Sequence, residues 1–179
     1  MEIHSPKPIQ VFDNRGTFFK SFYESSDFGP STFQIREVFT TTSRIGVVRG
    51  LHFQLPPKSQ SKLISILQGK VLEVYVDLRL GSQEYGLPQT CILSDPNDGA
   101  NQSSLFIPSG FAHGYQAIED NTIVQYLADQ PFDAKLDAAI NIKSFQIDWP
   151  IQPLILSEKD LFAPHISEFS SPYRVREDG

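Results

Sequence analysis

The sequence predicts an all-β protein, built as a sandwich or a jelly-roll barrel. Short apolar runs recur along the chain, separated by Gly, Pro, Asn and Asp, and helical periodicity is scarce. In one run, residues 71–77, alternate side chains would face the same side of a sheet. Many short strands joined by Gly- and Pro-rich turns are typical of sandwiches and barrels rather than of α/β folds. Such barrels often bind a small ligand at one end.

Individual elements can be placed by alternation and by turn residues. The clearest strands are predicted at residues 62–67, 70–78, 89–93, 104–107, 114–118 and 122–127. A further β-type run covers residues 46–54, and two short helices are predicted at residues 21–28 and 157–162. Ser157 has a residue type suited to capping the second helix. We expect one domain over residues 1–179, in which residues 165–179 form a loose C-terminal extension.

Composition excludes several classes of protein. The 179 residues are 40% apolar and 12% aromatic, which is enough for one core. A net charge of −6 argues against a nucleic-acid partner, so a phosphate-bearing ligand would need local Arg and Lys. The lone Cys91 excludes an intrachain disulfide and a thiolate zinc site. Without a signal pattern or a bilayer-spanning run, the expectation is a cytoplasmic protein with no membrane partner.

Two histidine-containing segments could carry chemistry. Residues 46–54 place Arg49 three positions before His52, and an Arg beside a neutral imidazole suits an anion anchor near a base. Residues 107–115 present His113 among small residues, which would let a ligand or metal approach. A histidine on an apolar strand is nevertheless more often a hydrogen-bonded core residue than a catalytic one. A metal is the less favoured interpretation, because no second histidine follows His52 closely on its strand.

Three further groups remain ambiguous on spacing alone. Lys62 begins a predicted strand, where it would either face solvent or stabilise an oxyanion in a polar cavity. Tyr126 lies on an alternating strand, where most tyrosines are core or rim groups. Residues 154–160 run from an apolar stretch into a charged turn, which is ordinarily a solvated helix start.

Five segments in order resemble the dTDP-4-dehydrorhamnose 3,5-epimerase family: residues 13–18, 46–54, 108–114, 147–150 and 155–160. The resemblance implies a cupin-type jelly roll and a homodimer that uses no metal and no other cofactor. It also implies an isomerase whose substrate is a nucleoside-diphosphate 4-keto-6-deoxy sugar. Epimerisation at carbon 3, carbon 5 or both would proceed by removing and returning a proton next to the ketone.

The resemblance assigns four catalytic roles by position. His52 resembles the base, Asp160 the carboxylate that orients it, and Tyr126 the acid on the opposite face. Lys62 resembles the group beside the ketone oxygen. These roles are chemically coherent, because deprotonation leaves negative charge on that oxygen, which needs a nearby cation or donor. Reprotonation from the other face then requires a second acid.

Substrate-binding residues also follow from the resemblance. Those that match the family's nucleotide-sugar anchors are Arg15, Arg49, His113 and Lys159. Those that replace a residue usual in the family are Lys20 for Glu, Glu37 and Phe39 in place of a Gln-x-Asn pattern, Phe132 for Tyr and Asp137 for Glu. Because these replacements alter recognition but not chemistry, the alternative is a single-position epimerase acting on another sugar, such as a CDP-linked one.

Two interpretations from other classes remain open. In a metal-dependent cupin, His52 and His113 would be ligands, and elemental analysis would find stoichiometric metal. A non-catalytic sugar-binding cupin would bind a nucleotide sugar without proton exchange. The presence of both His52 and Tyr126 weighs against the binding protein, since a pure binding site needs neither a base nor an acid.

Overall fold

A computed structural model describes residues 2–98 and 102–175, which are almost entirely β-structure. The strands, numbered β1 to β11 in chain order, are Ile9–Asp13, Gly16–Lys20, Glu37–Ser43, Val48–Gln54, Lys62–Gln68, Lys70–Asp77, Pro88–Ser94, Ser104–Ile107, Phe111–Ala117, Thr122–Ala128 and Asp137–Ala139. One α-helix, α1, covers Glu158–Leu161, and single 3₁₀ turns lie at Ser26–Phe28, Pro96–Asp98, Ile142–Ser144 and Ile166–Glu168. The predicted strands are present, although β9 begins three residues earlier than expected.

Two antiparallel sheets face each other. One has the strand order β3-β10-β5-β8 and the other β11-β4-β9-β6-β7, while β1 and β2 form a separate hairpin. Between the sheets lie buried side chains that include Ile64, Val71, Leu105, Tyr115 and Val124. The chain is therefore a cupin-type jelly roll, and the predicted fold class is confirmed.

The outer face of the five-stranded sheet is buried as well. Leu72 and Val74 of β6 point outward and pack in a cluster with Phe169 and Tyr173 from the C-terminal segment. The Tyr173 hydroxyl donates a 2.6 Å hydrogen bond to the carbonyl oxygen of Gln54. The expectation of a loose extension is therefore wrong for residues 165–175, because this segment removes an apolar sheet face from water. Residues 176–179 lie outside the described residues.

One of the two predicted helices is present. α1 agrees with the prediction for residues 157–162, and Ser157 caps it by accepting a hydrogen bond from the Asp160 amide. The helix predicted at residues 21–28 is wrong, since this stretch has only the 3₁₀ turn. Its aromatic side chains pack instead on Leu63 and Phe106, on the outer face of the four-stranded sheet, so tertiary packing outweighs local propensity. No helix within residues 2–98 and 102–175 is long and apolar enough to cross a membrane.

An irregularity in β4 decides where its functional side chains point. Arg49 pairs with Tyr115 of β9, and His52 pairs with His113, so β4 carries one extra residue between the two pairs. This is a β-bulge. In a regular strand, residues three apart point to opposite faces. The bulge brings both Arg49 and His52 to the same cavity.

Gly50 makes this bulge possible. Its φ is +121°, and a Cβ atom there would lie 2.6 Å from the Gly114 Cα and 2.7 Å from the His113 carbonyl oxygen. We expect Gly50→Ala to lower the free energy of unfolding by about 2–4 kcal/mol, because backbone must move as well as adopt a strained φ. Urea denaturation measures this loss.

Gly81→Ala is the matched control for this substitution. Gly81 also has a positive φ, +91°, but no atom lies within 4 Å of the position that a Cβ would take there. Only backbone strain should therefore lower the free energy of unfolding of this variant, by about 1 kcal/mol. Equal losses in the two variants would show that close approach to β9 is not what requires glycine at position 50.

Candidate active site

A cavity of about 430 Å³ opens between the two sheets, which is within the range of small-molecule sites. All four residues predicted to be catalytic line it: His52, Lys62, Tyr126 and Asp160. The predicted binding residues that line it are Glu37, Phe39, Arg49, His113, Phe132, Asp137 and Lys159. Residues far apart in sequence thus meet around one space.

His52 and Asp160 form a hydrogen-bonded pair. The His52 Nε2 atom lies 2.6 Å from Asp160 Oδ1, with 31% of the histidine side chain and 3% of the carboxylate exposed. The other carboxylate oxygen, Oδ2, accepts a 2.8 Å hydrogen bond from the Ser157 hydroxyl. A carboxylate held in this way orients the imidazole and stabilises its protonated form.

Hydrogen bonds explain why Asp160 is charged in a buried position. Burial alone would raise the pKa of this carboxyl group. Hydrogen bonds from His52, Ser157 and the Gly50 amide, together with charge on His52, outweigh burial and hold the pKa below its ordinary value. Since Ser157 is also the cap of α1, the turn that begins the helix places the carboxylate against the imidazole.

Beside this pair, a buried chain joins Lys62, His113 and Glu73. Lys62 Nζ lies 3.2 Å from His113 Nε2, and His113 Nδ1 lies 2.9 Å from Glu73 Oε1. An ammonium group can only donate, so Nε2 accepts and Nδ1 carries the proton that is donated to Glu73. The ring is therefore held in one tautomer by its two neighbours.

Burial shifts the pKa of each group in this chain in the direction that favours the neutral form of that group. It lowers the pKa of Lys62 to about 8, although the carboxylates of Asp137, Glu73 and Glu37 oppose the shift. Burial also raises the pKa of Glu73 well above its usual range, and positive charge on Lys62 opposes this. For His113, burial, the positive charge of Lys62 and any positive charge on His52 lower the pKa well below its ordinary value. The imidazole of His113 is therefore neutral, and Lys62 supplies the cation below pH 8.

This shift predicts a pH dependence of activity. Because the ammonium form of Lys62 is lost as pH rises through about 8, kcat/KM should fall about tenfold per pH unit above that value. A pH profile from 6 to 10 measures the fall. In Lys62→Arg, whose guanidinium stays protonated, any residual activity should lack this alkaline limb. An unchanged limb in that variant would assign it to another group.

Tyr126 approaches the cavity from the four-stranded sheet, whereas His52 approaches it from the five-stranded sheet. It lies on β10, and its ring stacks on Phe39 of β3, with ring centroids 4.6 Å apart and planes at 9°. Burial, together with any negative charge on Tyr115 or Glu73, raises the pKa of Tyr126 well above its ordinary value; a hydrogen bond with Thr41 and the charge of Arg49 oppose the rise. The phenol is thus protonated and able to act as an acid.

Two of the replaced recognition residues contact each other, and a third contacts one of the anchors that match the family. Glu37 accepts a 2.7 Å hydrogen bond from the backbone amide of Phe132, and Lys159 forms an ion pair with Asp137. These contacts surround the cavity with ordered polar groups and two aromatic faces, Phe39 and Phe132. The rim can hold both a charged group and a flat ring.

The structure does not bring Arg15 and Lys20 to this cavity. Both belong to the β1–β2 hairpin: Arg15 lies in its turn and pairs with Asp13, with 86% of its side chain exposed. Lys20 lies over the ring of Phe18, 6.0 Å from its centroid. Within one chain, neither residue is among those that line the space around His52.

Sequence reasoning missed Glu73. It has no exposed surface, and its Oε2 atom has no hydrogen-bond partner among the described residues. The signal was present: a carboxylate interrupts the apolar strand at residues 71–76 on the same face as Val71 and Tyr75. A buried charge of this kind requires a partner or a shifted pKa, and both are found.

The histidines are already engaged with protein groups. His52 contacts Asp160, and His113 lies between Lys62 and Glu73. Within residues 2–98 and 102–175, no group of three or more His, Cys, Asp and Glu side chains is arranged to hold a metal ion.

Comparison with known proteins identifies the family of this chain. The family model described as dTDP-4-dehydrorhamnose 3,5-epimerase matches residues 2–168. The enzyme of that name from Methanothermobacter thermautotrophicus is 39% identical over 161 residues, 86% of this chain and 84% of that protein. The one from Mycolicibacterium smegmatis is 34% identical over 164 residues, 90% and 80% of the two chains.

Solved structures give the same result. The dTDP-4-dehydrorhamnose 3,5-epimerase of Sulfolobus tokodaii superposes with a TM-score of 0.80 at 36% identity, covering 94% of this chain and 92% of that one. The Legionella pneumophila epimerase, solved in complex with dTDP-4-keto-L-rhamnose, has a TM-score of 0.84 at 28% identity and covers 98% and 100%. This chain is therefore an isomerase that belongs to the dTDP-4-dehydrorhamnose 3,5-epimerase family.

Proposed function

We propose that this chain epimerises a dTDP-linked 4-keto-6-deoxy sugar at carbons 3 and 5. His52 removes the proton from a carbon next to the ketone, and the electron pair moves onto the ketone oxygen to form an enolate. Lys62 stabilises that oxygen, with its ammonium oriented by His113. Tyr126 then protonates the same carbon from the opposite face while the ketone re-forms. The proton taken by His52 returns to solvent, and the Tyr126 phenolate takes one proton from solvent, which restores both groups.

The observation that carries this proposal is the placement of the base and the acid on opposite sheets. His52 belongs to β4 of the five-stranded sheet, and Tyr126 to β10 of the four-stranded sheet. A sugar ring lying between them would present opposite faces to the two groups. Inversion at carbon requires this arrangement, because the proton must leave one face and arrive at the other.

The proposed nucleotide follows the family. Its relatives bear the name of the dTDP-linked sugar, and the Legionella structure contains such a sugar. In this chain, Arg49 and Lys159 are the cations that line the cavity besides Lys62 and would contact the diphosphate. Phe132, 57% exposed at the rim, offers a face on which a base could stack.

Solvent exchange tests the proposal most directly. The protein is incubated with dTDP- and CDP-linked 4-keto-6-deoxy sugars in heavy water, and deuterium at each carbon is followed by NMR. We expect deuterium at carbons 3 and 5 of the dTDP sugar, with inversion at both. Exchange confined to one carbon would identify a single-position epimerase, and no exchange with any sugar would rule out the proposed function.

We also propose that the protein acts as a homodimer whose interface includes the β1–β2 hairpin. This hairpin exposes Ile9, Val11, Phe12 and Phe18 to between 40% and 60%. A patch of this kind is typical of an interaction surface. A second copy bound there would also offer Arg15 the cavity of the partner subunit, since Arg15 does not line the cavity of its own chain. The cytoplasmic location stays a prediction.

Mixing two inactive variants tests the dimer and the place of Arg15 together. Arg15→Ala and His52→Ala are co-expressed at equal levels. If Arg15 acts in the partner's cavity, each mixed dimer keeps one intact site, and about one quarter of wild-type activity returns. If Arg15 acts in its own cavity, no activity returns. Light scattering gives the oligomeric state independently.

A further inference from the structure

The proposed mechanism leaves one buried phenol unused. Tyr115 of β9 is fully buried, and its hydroxyl lies 2.9 Å from Thr41 Oγ1 and 2.8 Å from Ser43 Oγ. Arg49 Nε donates a 3.0 Å hydrogen bond to the same Ser43 oxygen. At the other end, Thr41 lines the same cavity as Tyr126 and is its diagonal neighbour across the β3–β10 pair, in which Phe39 lies opposite Tyr126. Hydrogen bonding by Thr41 also acts to lower the pKa of Tyr126. A chain of hydroxyl groups therefore runs from a cationic guanidinium to the residue beside Tyr126.

The cation sets the direction of the hydrogen bonds in this chain. Arginine can only donate, and each hydroxyl has one proton to give. Ser43 is 3% exposed and makes no other side-chain hydrogen bond among residues 2–98 and 102–175. If Tyr115 donated to Ser43, the Ser43 proton would be buried without an acceptor, which is unfavourable. The satisfied order therefore has Arg49 donating to Ser43, Ser43 to Tyr115, and Tyr115 to Thr41.

The same order continues to Tyr126. Thr41 accepts from Tyr115, so its own proton is available for the oxygen of Tyr126. That oxygen then accepts a hydrogen bond, which leaves the phenolic proton free to point into the cavity. A chain polarised by a cation also strengthens its last hydrogen bond as negative charge develops at the end.

We propose that Tyr115 is a positioning residue that, through Thr41, aims the proton of Tyr126 at the substrate and stabilises the phenolate left after its transfer. Tyr115 itself does not touch the sugar, and Ser43, Tyr115 and Thr41 keep their protons when Tyr126 gives up its own. This role rests on the proposed function, because it requires that Tyr126 donate a proton to carbon. It applies only to the second half-reaction and leaves removal of the proton by His52 unaffected.

Tyr115→Phe removes the hydroxyl and keeps the buried ring. We expect net inversion to slow about tenfold, the effect of one lost hydrogen bond to a charged group. Deuterium should meanwhile accumulate at the reacting carbons of unconverted substrate, because His52 still removes and returns protons on its own face. The inversion rate and the deuterium content are measured in one NMR time course in heavy water. KM should stay close to the wild-type value.

A second pair of variants keeps the test decisive if Tyr115→Phe folds poorly. Thr41→Val removes the hydroxyl at nearly constant shape, whereas Thr41→Ser retains it. We expect Thr41→Val to behave like Tyr115→Phe, and Thr41→Ser to invert within about twofold of wild type. Tyr75→Phe, a tyrosine on β6 beside the same core cluster but outside the chain of hydroxyls, is the control and should resemble wild type.

The outcomes separate the two proposals. Inversion at the wild-type rate in Tyr115→Phe, or equal losses in Thr41→Ser and Thr41→Val, would overturn the role of Tyr115 while the epimerase remains. Loss of exchange and inversion together in Tyr115→Phe would also overturn it, since a general disturbance of the site would then be the cause. Absence of any exchange in the wild-type protein would instead overturn the proposed function, and this inference with it.

Discussion

His52→Ala should lower both solvent exchange and epimerisation by about a thousandfold or more, because a positioned base typically contributes between about 10² and 10⁴. Neither neighbouring group can replace it: Asp160 is 3% exposed and directs its carboxylate to the imidazole, and His113 is held between Lys62 and Glu73. Losing exchange as well as inversion is diagnostic, since the first proton is then never removed. The measurement is deuterium incorporation with a dTDP-linked 4-keto sugar.

The fold should tolerate this change. The His52 side chain is 31% exposed, and Asp160 keeps its hydrogen bond from Ser157. His165→Ala, at an exposed position beside the 3₁₀ turn at Ile166–Glu168, is the matched control and should keep full activity. Thermal unfolding of both variants separates a chemical effect from a loss of structure. Full activity in His52→Ala would refute the proposed mechanism.

Tyr126→Phe should separate the two halves of the reaction. Deprotonation by His52 continues, so deuterium enters the substrate, but inversion should fall by about a hundredfold without the acid on the opposite face. The aromatic ring and its stacking on Phe39 are retained, so the site keeps its shape. This loss is larger than the tenfold expected for Tyr115→Phe, because here the donor itself is removed rather than the group that aims it.

The ratio of exchange to inversion is the quantity to measure. In the wild-type enzyme, inversion competes with return of the proton to the same face, whereas in Tyr126→Phe return should dominate. Tyr173→Phe, whose hydroxyl contacts the Gln54 carbonyl on the far side of the sheet, provides the comparison. Equal loss of exchange and inversion in Tyr126→Phe would mean that Tyr126 takes part in proton removal as well.

Much of the fold was predictable because strands have a recognisable pattern in the local sequence. Alternation and turn residues located β5 to β8 and β10 to within one residue or so, and Ser157 marked the start of α1. Segments that cover sheet faces have no such pattern. The C-terminal residues around Phe169 and Tyr173 resemble a loose tail in sequence, and the aromatic stretch before Phe28 resembles a helix. Their conformation depends on sheet faces formed by distant strands.

The candidate site shows the same division. From local pattern alone, His52, Lys62 and Tyr126 each had an unremarkable structural interpretation, and only the ordered set of family segments singled them out. The bulge at Gly50, the burial of Glu73 and the hydroxyl chain through Tyr115 were not predicted. Each depends on which strand lies beside which, and therefore on pairings between residues far apart in sequence.

By itself, the sequence determined that the chain forms a β-barrel and which residue types are available for proton transfer, because these follow from periodicity and from side-chain chemistry. Tertiary structure alone decided which of those residues meet, in which protonation state, and from which side. His52 and Asp160 are far apart in the chain yet 2.6 Å apart in space. The pKa values of Lys62, His113 and Glu73 are set by burial, a property of the packed barrel and not of any segment within it.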